Sequence, residues 1–269
     1  MHHLQRPEGR IAYDLYGPAD RSRPLIVCVP GMFDHRASFR FVGEALAEAG
    51  HRVAVMDLRG HGDSDTAFTE HTNRAAATDA IALAEELGGE NVLMVGNSLG
   101  GAAVTIAAME RPDLVSGIAL LCPFLRNSIS PLLRLGFRLL LLRPWGPGVL
   151  ASYYDKLHVG RTPEGHAEQK RRVRDMLRPA DRFRSIAATV LAPSEQVLAA
   201  PGLRAEATVV VGEQDPDWPD PAAEAEWVAS VVGGTVETVP DCGHYPQSQQ
   251  PDAVVSAVLR LAERAKAGA

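Results

Sequence analysis

Ser98 is the residue of this sequence whose surroundings best suit a nucleophile. It lies in the middle of the turn at residues 96–100 (Gly-Asn-Ser-Leu-Gly), after an apolar strand and before a helix of small residues. Small residues two positions to either side let a strand and a helix close around a serine with a strained backbone. The hydroxyl then rises above the sheet edge, and the helix N-terminus directs free N–H groups at any oxyanion formed there. An unreactive Gly-rich turn is the alternative, but the strand–turn–helix context favours a nucleophile.

A base and an acid for this serine lie in the C-terminal part of the chain. A serine needs a base to accept its proton, and that base needs a carboxylate to orient it. One apolar strand runs into a loop that carries Asp215, and the next strand runs into a loop that carries His244. Because parallel strands bring their carboxyl ends to one sheet edge, we expect both side chains to lie beside Ser98. Asp217 and Asp220 crowd the same loop, so a neighbouring carboxylate is an alternative for the acid.

Apolar runs alternate with helical stretches along most of the chain. This pattern is typical of a mostly parallel, doubly wound α/β sheet that helices cover on both faces. The expected strands are residues 10–16 (in an edge hairpin with the residues before them), 25–29, 53–57, 92–95, 118–121, 208–211 and 235–239. The expected helices are residues 39–49, 73–87, 99–110, 222–232 and 252–266.

The alternation stops at residues 123–203, which are helical and irregular in character. We interpret this segment as a helical lid inserted between two core segments, residues 1–122 and 204–269, at the sheet edge where α/β proteins form ligand crevices. Residues 125–200 contain 13 basic and 6 acidic side chains, a net charge of +7, which leaves −13 for the rest of the chain. Such a segment either steers an anionic substrate or touches an acidic surface, or it is a solvated helical face, which is the preferred interpretation.

A leucine-rich run at residues 129–142 stands out within the predicted lid. It is too short and too charged to span a bilayer, which needs about 20 mostly apolar residues. As a helix it places Arg134 and Arg138 on one face and leucines elsewhere. The apolar face then either forms the roof of a pocket for an acyl or aromatic group or rests on a membrane interface. Packing as a pocket roof is the preferred interpretation.

Four motifs make the chain resemble the α/β-hydrolase family. They are GNSLGG at residues 96–101, DLRGHGDS at 57–64, GEQD at 212–215 and GHYP at 243–246. The resemblance covers nearly the whole chain apart from the predicted lid, and it implies the mostly parallel α/β-hydrolase sheet. By the same resemblance Ser98 is the nucleophile, His244 is the general base, and Asp215 is the acid that orients the base.

An oxyanion hole needs two preorganised N–H donors. The resemblance implies the amide of Leu99, directly after the nucleophile, and the amide of Met32 in the loop that follows the second expected strand. Family members often have His-Gly in that loop, where this chain has Pro30-Gly31. The difference keeps the amide but removes a side chain that often braces the loop. We interpret His61 as a structural loop residue near the site.

The resemblance implies a serine hydrolase that cleaves an acyl bond without a cofactor or metal. The expected substrate is a carboxylic ester of an apolar or aromatic small molecule. A thioester, a lactone, a C–C bond beside a ketone, or acyl transfer in place of hydrolysis would use the same residues. Family members that open epoxides have a carboxylate at the position of Ser98, which argues against that chemistry. A hydrolase-like sensor that binds a small molecule with slow or no turnover is the alternative from another class of function.

The bulk properties narrow the remaining classes of function. A net charge of −6 at pH 7 argues against nucleic-acid binding, which needs a basic face. The first residues contain no apolar stretch, and the 3 cysteines lack metal-ligand spacing. The sequence also lacks a phosphate-binding loop and a dinucleotide fingerprint. We therefore expect a cytoplasmic protein without a transmembrane segment, and we leave a homodimer open.

Overall fold

Eight strands form one sheet in the computed structural model, which describes residues 1–18, 23–126, 131–192 and 197–267, the side chains of residues 131–135 excepted. The strands are β1 His2–Arg6, β2 Gly9–Tyr16, β3 Leu25–Val29, β4 Arg52–Met56, β5 Val92–Asn97, β6 Val115–Leu121, β7 Glu206–Gly212 and β8 Thr235–Val239. They lie in the order β1-β2-β4-β3-β5-β6-β7-β8. The pairs β1–β2 and β2–β4 are antiparallel, and the other neighbouring pairs are parallel. The predicted, mostly parallel sheet is confirmed.

The central strands are continuous apolar runs because helices cover both of their faces. All residues of β3 and of β4 are buried. Consecutive residues enter different cores: Val27 and Met94 pack on one side of the sheet, and Cys28 and Val95 pack on the other. This alternation follows from the side-chain period of two in a strand. The predicted doubly wound arrangement is therefore confirmed.

The described part of the chain contains ten α-helices. They are α1 Arg40–Glu48, α2 Asn73–Glu86, α3 Leu99–Glu110, α4 Pro131–Leu140, α5 Gly146–Lys156, α6 His166–Leu177, α7 Ala180–Leu191, α8 Pro221–Val232, α9 Pro246–Gln249 and α10 Pro251–Ala267. Helices α2, α3 and α8 pack on one core, and α1 and α10 pack on the other. Local signals set their ends. For example, Asp220 caps the first turn of α8, and Gly233, at φ +68°, ends that helix.

Helices α4 to α7 lie in the described part of the segment between β6 and β7, where the sequence predicts a lid. We call residues 131–192 the insertion. Its buried side chains, among them Tyr154 and Val173, form a separate cluster. Phe33 and Tyr245 from the rest of the chain pack into that cluster, so the insertion shares its core with loops outside it.

The boundaries of the predicted lid at residues 123 and 203 stay a prediction. Residues 127–130 and 193–196 lie outside the described residues, and so does the start of the leucine-rich run. The predicted orientation of Arg134 also falls outside the described side chains. The described part of that run forms α4 and the turn that follows it.

None of the helices in the described ranges combines the length and apolar character that a bilayer crossing needs. The three cysteines, Cys28, Cys122 and Cys242, are free and buried. Cys28 and Cys122 pack in the hydrophobic cores as small apolar residues. The cytoplasmic location and the oligomeric state stay predictions.

Candidate active site

The turn around Ser98 is a strained elbow between β5 and α3. Ser98 has φ +56° and ψ −119°, a sparsely populated conformation that costs on the order of 1–3 kcal/mol in a non-glycine residue. A Cβ on Gly96 would lie 2.1 Å from the carbonyl oxygen of Gly100, and a Cβ on Gly100 would lie 2.2 Å from that of Val29. The strand and the helix therefore approach as closely as the sequence pattern predicts, and only glycine fits on either side of the serine.

The structure places two carboxylates beside His244. The Nδ1 atom of His244 lies 2.9 Å from Oδ2 of Asp215 and 3.5 Å from Oδ2 of Asp217. Asp220 has a different task, because its carboxylate accepts a hydrogen bond from Ala223 N at 3.0 Å and caps α8. Asp215 thus makes the hydrogen bond to the imidazole, Asp217 lies next to it, and Asp220 does not take part.

Burial and charge act in opposite directions on this pair. Burial alone lowers the pKa of His244, but the charge and hydrogen bond of Asp215, together with Asp217, raise that pKa above its ordinary value of 6.5. Burial alone raises the pKa of Asp215, but the charge and hydrogen bond of His244 bring it below its ordinary value. Burial raises the pKa of Asp217. Asp215 is therefore the carboxylate best held in its ionised form beside the imidazole.

Two residues tie the serine turn to the histidine loop. The Asn97 side-chain amide donates to the carbonyl oxygens of Leu121 and His244, at 3.1 and 3.0 Å. The Phe124 N–H donates to Ser98 O at 3.1 Å, and the Phe124 ring centroid lies 5.9 Å from that of His244. Among the described residues no direct hydrogen bond joins Ser98 to His244. Hydrogen bonds of this kind are often long in structures without substrate.

The loop after β3 lies against the serine turn. A Cβ on Gly31 would lie 3.0 Å from Cβ of Ser98, so the backbone of the loop is close to the hydroxyl-bearing residue. Met32 follows directly, and its N–H has no hydrogen-bond acceptor among the described residues. Leu99 is the first residue of α3, a position whose N–H has no partner inside the helix. Both amides that the resemblance implies are thus available as donors.

His61 holds the loop after β3 in place through a hydrogen bond. Its Nε2 accepts a hydrogen bond from Phe33 N at 3.0 Å, and its Nδ1 lies 2.9 Å from Arg59 O. Burial lowers the pKa of His61 to about 4, so the ring is neutral and carries its proton on Nδ1. The sequence places His61 near the site as a structural residue, but no local signal points to its bond with the loop that starts at Pro30.

Gln249 is a buried residue that the sequence analysis missed. Its Oε1 accepts hydrogen bonds from the backbone N–H groups of Gly243 and Tyr245, at 3.1 and 3.3 Å. Its Nε2 donates to the carbonyl oxygens of Val159 and Arg161, at 2.7 and 3.0 Å. The side chain therefore joins the loop that carries His244 to the insertion. In the sequence, Gln249 is one of several polar residues after that loop, and no local pattern indicates its hydrogen bonds.

Two pairs of aromatic rings lie near His244 and its carboxylate partners. The Tyr153 ring of α5 lies 6.0 Å from that of Phe33, and its hydroxyl donates to Oδ1 of Asp217. On the other side, the rings of Phe124 and Trp218 lie 4.9 Å apart. Such rings offer apolar surface with a few polar groups, which suits an apolar or aromatic ligand.

One group in the described ranges has ligand atoms close enough together for a metal ion: Cys122, Asp215 and His244, all within 4.8 Å. Burial raises the pKa of the Cys122 thiol well above its ordinary value, so the thiol keeps its proton. A metal ion needs the thiolate, and it would have to break the hydrogen bond between His244 and Asp215. The residues present therefore fit an oriented histidine better than a metal site.

Curated relatives match this chain over part of its length. The sn-1-specific diacylglycerol lipase ABHD11 of Mus musculus is 32% identical over 106 residues, which are 39% of this chain and 34% of that protein. The uncharacterized hydrolase YugF of Bacillus subtilis (strain 168) is 33% identical over 101 residues, which are 37% of each chain. The chain thus spans about a third of the length of the curated relatives it matches.

Solved structures match nearly the whole chain. A thermophilic esterase from Thermogutta terrifontis has a TM-score of 0.81 and 25% identity, covering 98% of this chain and 99% of that one. The enol-lactonase from Burkholderia xenovorans LB400 has a TM-score of 0.80 and 20% identity, covering 97% and 99%, and shows the shared fold. The sequence profile of the alpha/beta hydrolase family matches residues 26–257. With its eight-stranded sheet, its serine elbow and this match over most of its length, the chain belongs to the alpha/beta hydrolase family.

Proposed function

We propose that the protein is a serine hydrolase in which Ser98, His244 and Asp215 form a catalytic triad. The observation that carries the proposal is the buried hydrogen bond of 2.9 Å between His244 Nδ1 and Asp215 Oδ2, at the sheet edge that presents the strained Ser98. Asp215 fixes the tautomer of the imidazole, so that Nε2 is free to accept the proton of the serine hydroxyl.

The proposed reaction has two acyl-transfer steps. Ser98 Oγ attacks the acyl carbonyl carbon while its proton passes to His244 Nε2, and the N–H groups of Met32 and Leu99 stabilise the oxyanion. The imidazolium then gives its proton to the leaving group, and an acyl-enzyme forms. Water then attacks the acyl-enzyme while His244 accepts its proton, and the imidazolium returns that proton to Ser98 Oγ as the acyl–oxygen bond breaks and the acid leaves.

We infer a carboxylic ester with an apolar or aromatic group as the substrate. The rings of Phe33, Tyr153, Phe124 and Trp218 support an apolar binding region beside the serine. The names of the relatives include a diacylglycerol lipase and an esterase. The insertion, in this proposal, acts as the lid that covers the bound acyl group.

Acyl transfer is the second candidate. A relative named ethanol acetyltransferase 1, from Wickerhamomyces ciferrii, is 32% identical over 119 residues, which are 40% of this chain and 30% of that protein. The same acyl-enzyme would then be attacked by an alcohol in place of water. Product analysis with and without added ethanol separates the two, because transfer yields an ethyl ester and hydrolysis yields the acid.

A fluorophosphonate probe tests the proposal most directly. We expect the probe to label the folded wild-type protein at Ser98 and to leave the Ser98→Ala variant unlabelled, with Ser230→Ala, at an exposed serine, labelled like the wild type. Turnover of a panel of p-nitrophenyl esters of different chain lengths should depend on the same serine. Absence of labelling at Ser98 in folded protein would overturn the proposal, and labelling without turnover of any ester would favour a small-molecule sensor.

A further inference from the structure

The end of α4 and the turn after it expose several large apolar side chains. Leu139, Leu140, Leu142 and Trp145 are 59, 49, 48 and 53% exposed; we call these four residues the apolar patch. Scattered single apolar residues on a surface are ordinary. Four within seven positions form a contiguous surface of the kind that marks an interaction site.

The structure prepares the ring of Trp145 for an apolar environment. Its Nε1–H donates to Leu139 O at 3.0 Å, so the one polar group of the indole is satisfied inside the protein and also holds the ring against the end of α4. Burying an unsatisfied N–H in an apolar phase is costly, and here that cost is already removed. Tryptophan is the residue type most characteristic of the boundary between lipid headgroups and acyl chains.

The surroundings of the apolar patch are basic. Residues 123–154 contain no Asp or Glu, and they contain four arginines. Two of these, Arg138 and Arg143, lie in exposed positions beside the patch. A hydrogen bond of 3.1 Å from Arg143 Nη1 to Arg178 O brings a third arginine to the same border. Arg178 is 83% exposed, and its ion pair with Asp175 spans 3.5 Å at the surface, where such pairs are weak.

A groove of about 400 Å³ between α5 and α6 continues this border. Its lining includes Pro147, just after the patch, together with Arg174, Arg178 and Asp155. The Asp155 carboxylate is paired with Lys170 at 2.8 Å, whereas Arg174 lies 4.0 Å from it. Two arginines therefore line the groove, and the carboxylate of Asp155 is already neutralised by a lysine. A phosphate-bearing headgroup fits this charge pattern.

We propose that the apolar patch and its arginine border form a docking surface for an anionic lipid membrane. The leucines and Trp145 enter the boundary between headgroups and acyl chains, while Arg138, Arg143 and Arg178 contact the anionic headgroups. The strength of such binding depends on buried apolar area and on the attraction of basic side chains to anionic lipid. The proposal does not depend on the catalytic role of Ser98.

Co-sedimentation of the full chain with vesicles tests the proposal. The Ser98→Ala variant is used so that lipid turnover does not change the vesicles. We expect binding to vesicles of phosphatidylcholine mixed with phosphatidylglycerol, weaker binding to phosphatidylcholine alone, and loss of binding at high salt. The emission of Trp145, taken as the difference from a Trp145→Phe variant, should shift to the blue on binding.

Matched variants distinguish binding through the apolar patch from nonspecific adsorption of the protein to lipid. L139S/L140S should raise the lipid concentration for half-binding by about tenfold or more, whereas Leu198→Ser, at an equally exposed leucine (59%), should leave it unchanged. R138Q/R178Q should raise it by about tenfold, and R10Q/R260Q, at exposed arginines elsewhere, should not. Equal binding to both vesicle types, equal loss in the Leu198 variant, or no binding would overturn the proposal. A dimer that L139S/L140S converts to a monomer, without vesicle binding, would assign the patch to a second copy of the chain.

Discussion

At the scale of single residues, the site contains one more carboxylate than a triad needs. Asp215 and Asp217 lie 2.9 and 3.5 Å from the same nitrogen of His244. The Asp217 N–H donates to Asp215 Oδ1 at 3.1 Å, and the hydroxyl of Tyr153 donates to Asp217. These bonds hold Asp217 at the longer distance from His244, so the hydrogen bond to the imidazole is made by Asp215. The two residues should therefore contribute unequally to activity.

Asp215→Asn should be far more damaging than Asp217→Asn. Loss of the orienting carboxylate allows the wrong tautomer of the imidazole, so we expect kcat to fall by about 10³–10⁴-fold for Asp215→Asn and by less than about tenfold for Asp217→Asn. Asp220→Asn is the control, since asparagine also caps a helix and Asp220 does not contact His244. Steady-state kinetics on an ester that the wild type hydrolyses measure all three. A lower kcat for Asp217→Asn than for Asp215→Asn would show that Asp217, and not Asp215, orients the imidazole.

The pH dependence of activity should follow the protonation of His244. A general base must be neutral, and the two carboxylates raise the pKa of this imidazole above 6.5. The rate should therefore increase with pH, with the midpoint of the acidic limb of kcat/KM above 6.5. Asp217→Asn removes one of the charges that raise the pKa, so its midpoint should move to lower pH. An unmoved midpoint, or an equal shift in Asp220→Asn, would show that Asp217 does not act on His244.

At the scale of elements, close backbone approach shapes the site. β5 and α3 meet at Ser98 because glycines flank it, and the loop after β3 packs on the turn through Gly31. His61, from the loop after β4, holds that neighbouring loop by a hydrogen bond to Phe33 N. The elements of the site are thus positioned by backbone contacts that leave no room for extra atoms.

Gly100→Ala tests this close approach. The new Cβ would lie 2.2 Å from the backbone oxygen of Val29, at the end of β3, and 2.9 Å from that of Pro30. The helix α3 must therefore move away from the end of β3. We expect a loss of at least about 3 kcal/mol in the free energy of unfolding, measured by denaturant titration. Gly148→Ala is the control, because a Cβ there meets nothing within 4 Å, and its stability should stay within about 1 kcal/mol. A stable Gly100→Ala variant would contradict the tight packing of the elbow.

At the scale of the whole molecule, the insertion and the histidine loop form one structure. The backbone N–H of His244 donates to Leu157 O at 2.9 Å, and that of Arg161 donates to Asp241 O at 2.9 Å. Gln249 adds hydrogen bonds to both sides. The position of the imidazole therefore depends on the insertion, and we expect the two parts to unfold in a single transition.

Gln249→Ala should affect both stability and catalysis. It removes the partner of two buried backbone N–H groups and of two partly buried carbonyl oxygens. Each buried group left unpaired costs about 1–3 kcal/mol, so we expect the unfolding free energy to fall by at least about 2 kcal/mol. Displacement of the histidine loop should also lower kcat. Gln250→Ala is the control, since its bond to Pro240 O (3.2 Å) lies at an exposed site. Thermal unfolding and ester kinetics check both effects, and equal behaviour of the two variants would rule out the joining role of Gln249.

Local sequence patterns were sufficient for the sheet, the serine turn and the order of the acid and histidine loops. The strained φ of Ser98 and the glycines beside it are properties of a few neighbouring residues, and central strands such as β3 and β4 carry their own buried runs. Because parallel strands end at a common edge, these local signals also predict that Asp215 and His244 meet. The structure confirms that meeting, while their catalytic roles stay proposals.

Local sequence patterns identify the residues at the edge of the sheet, whereas contacts between distant segments hold those residues in place. Only the distances to His244 and the capping role of Asp220 distinguish Asp215 from Asp217 and Asp220. The bonds of Gln249 to the insertion join residues 88 and 90 positions apart. Contacts of this kind arise from three-dimensional packing between distant segments, which no local pattern encodes.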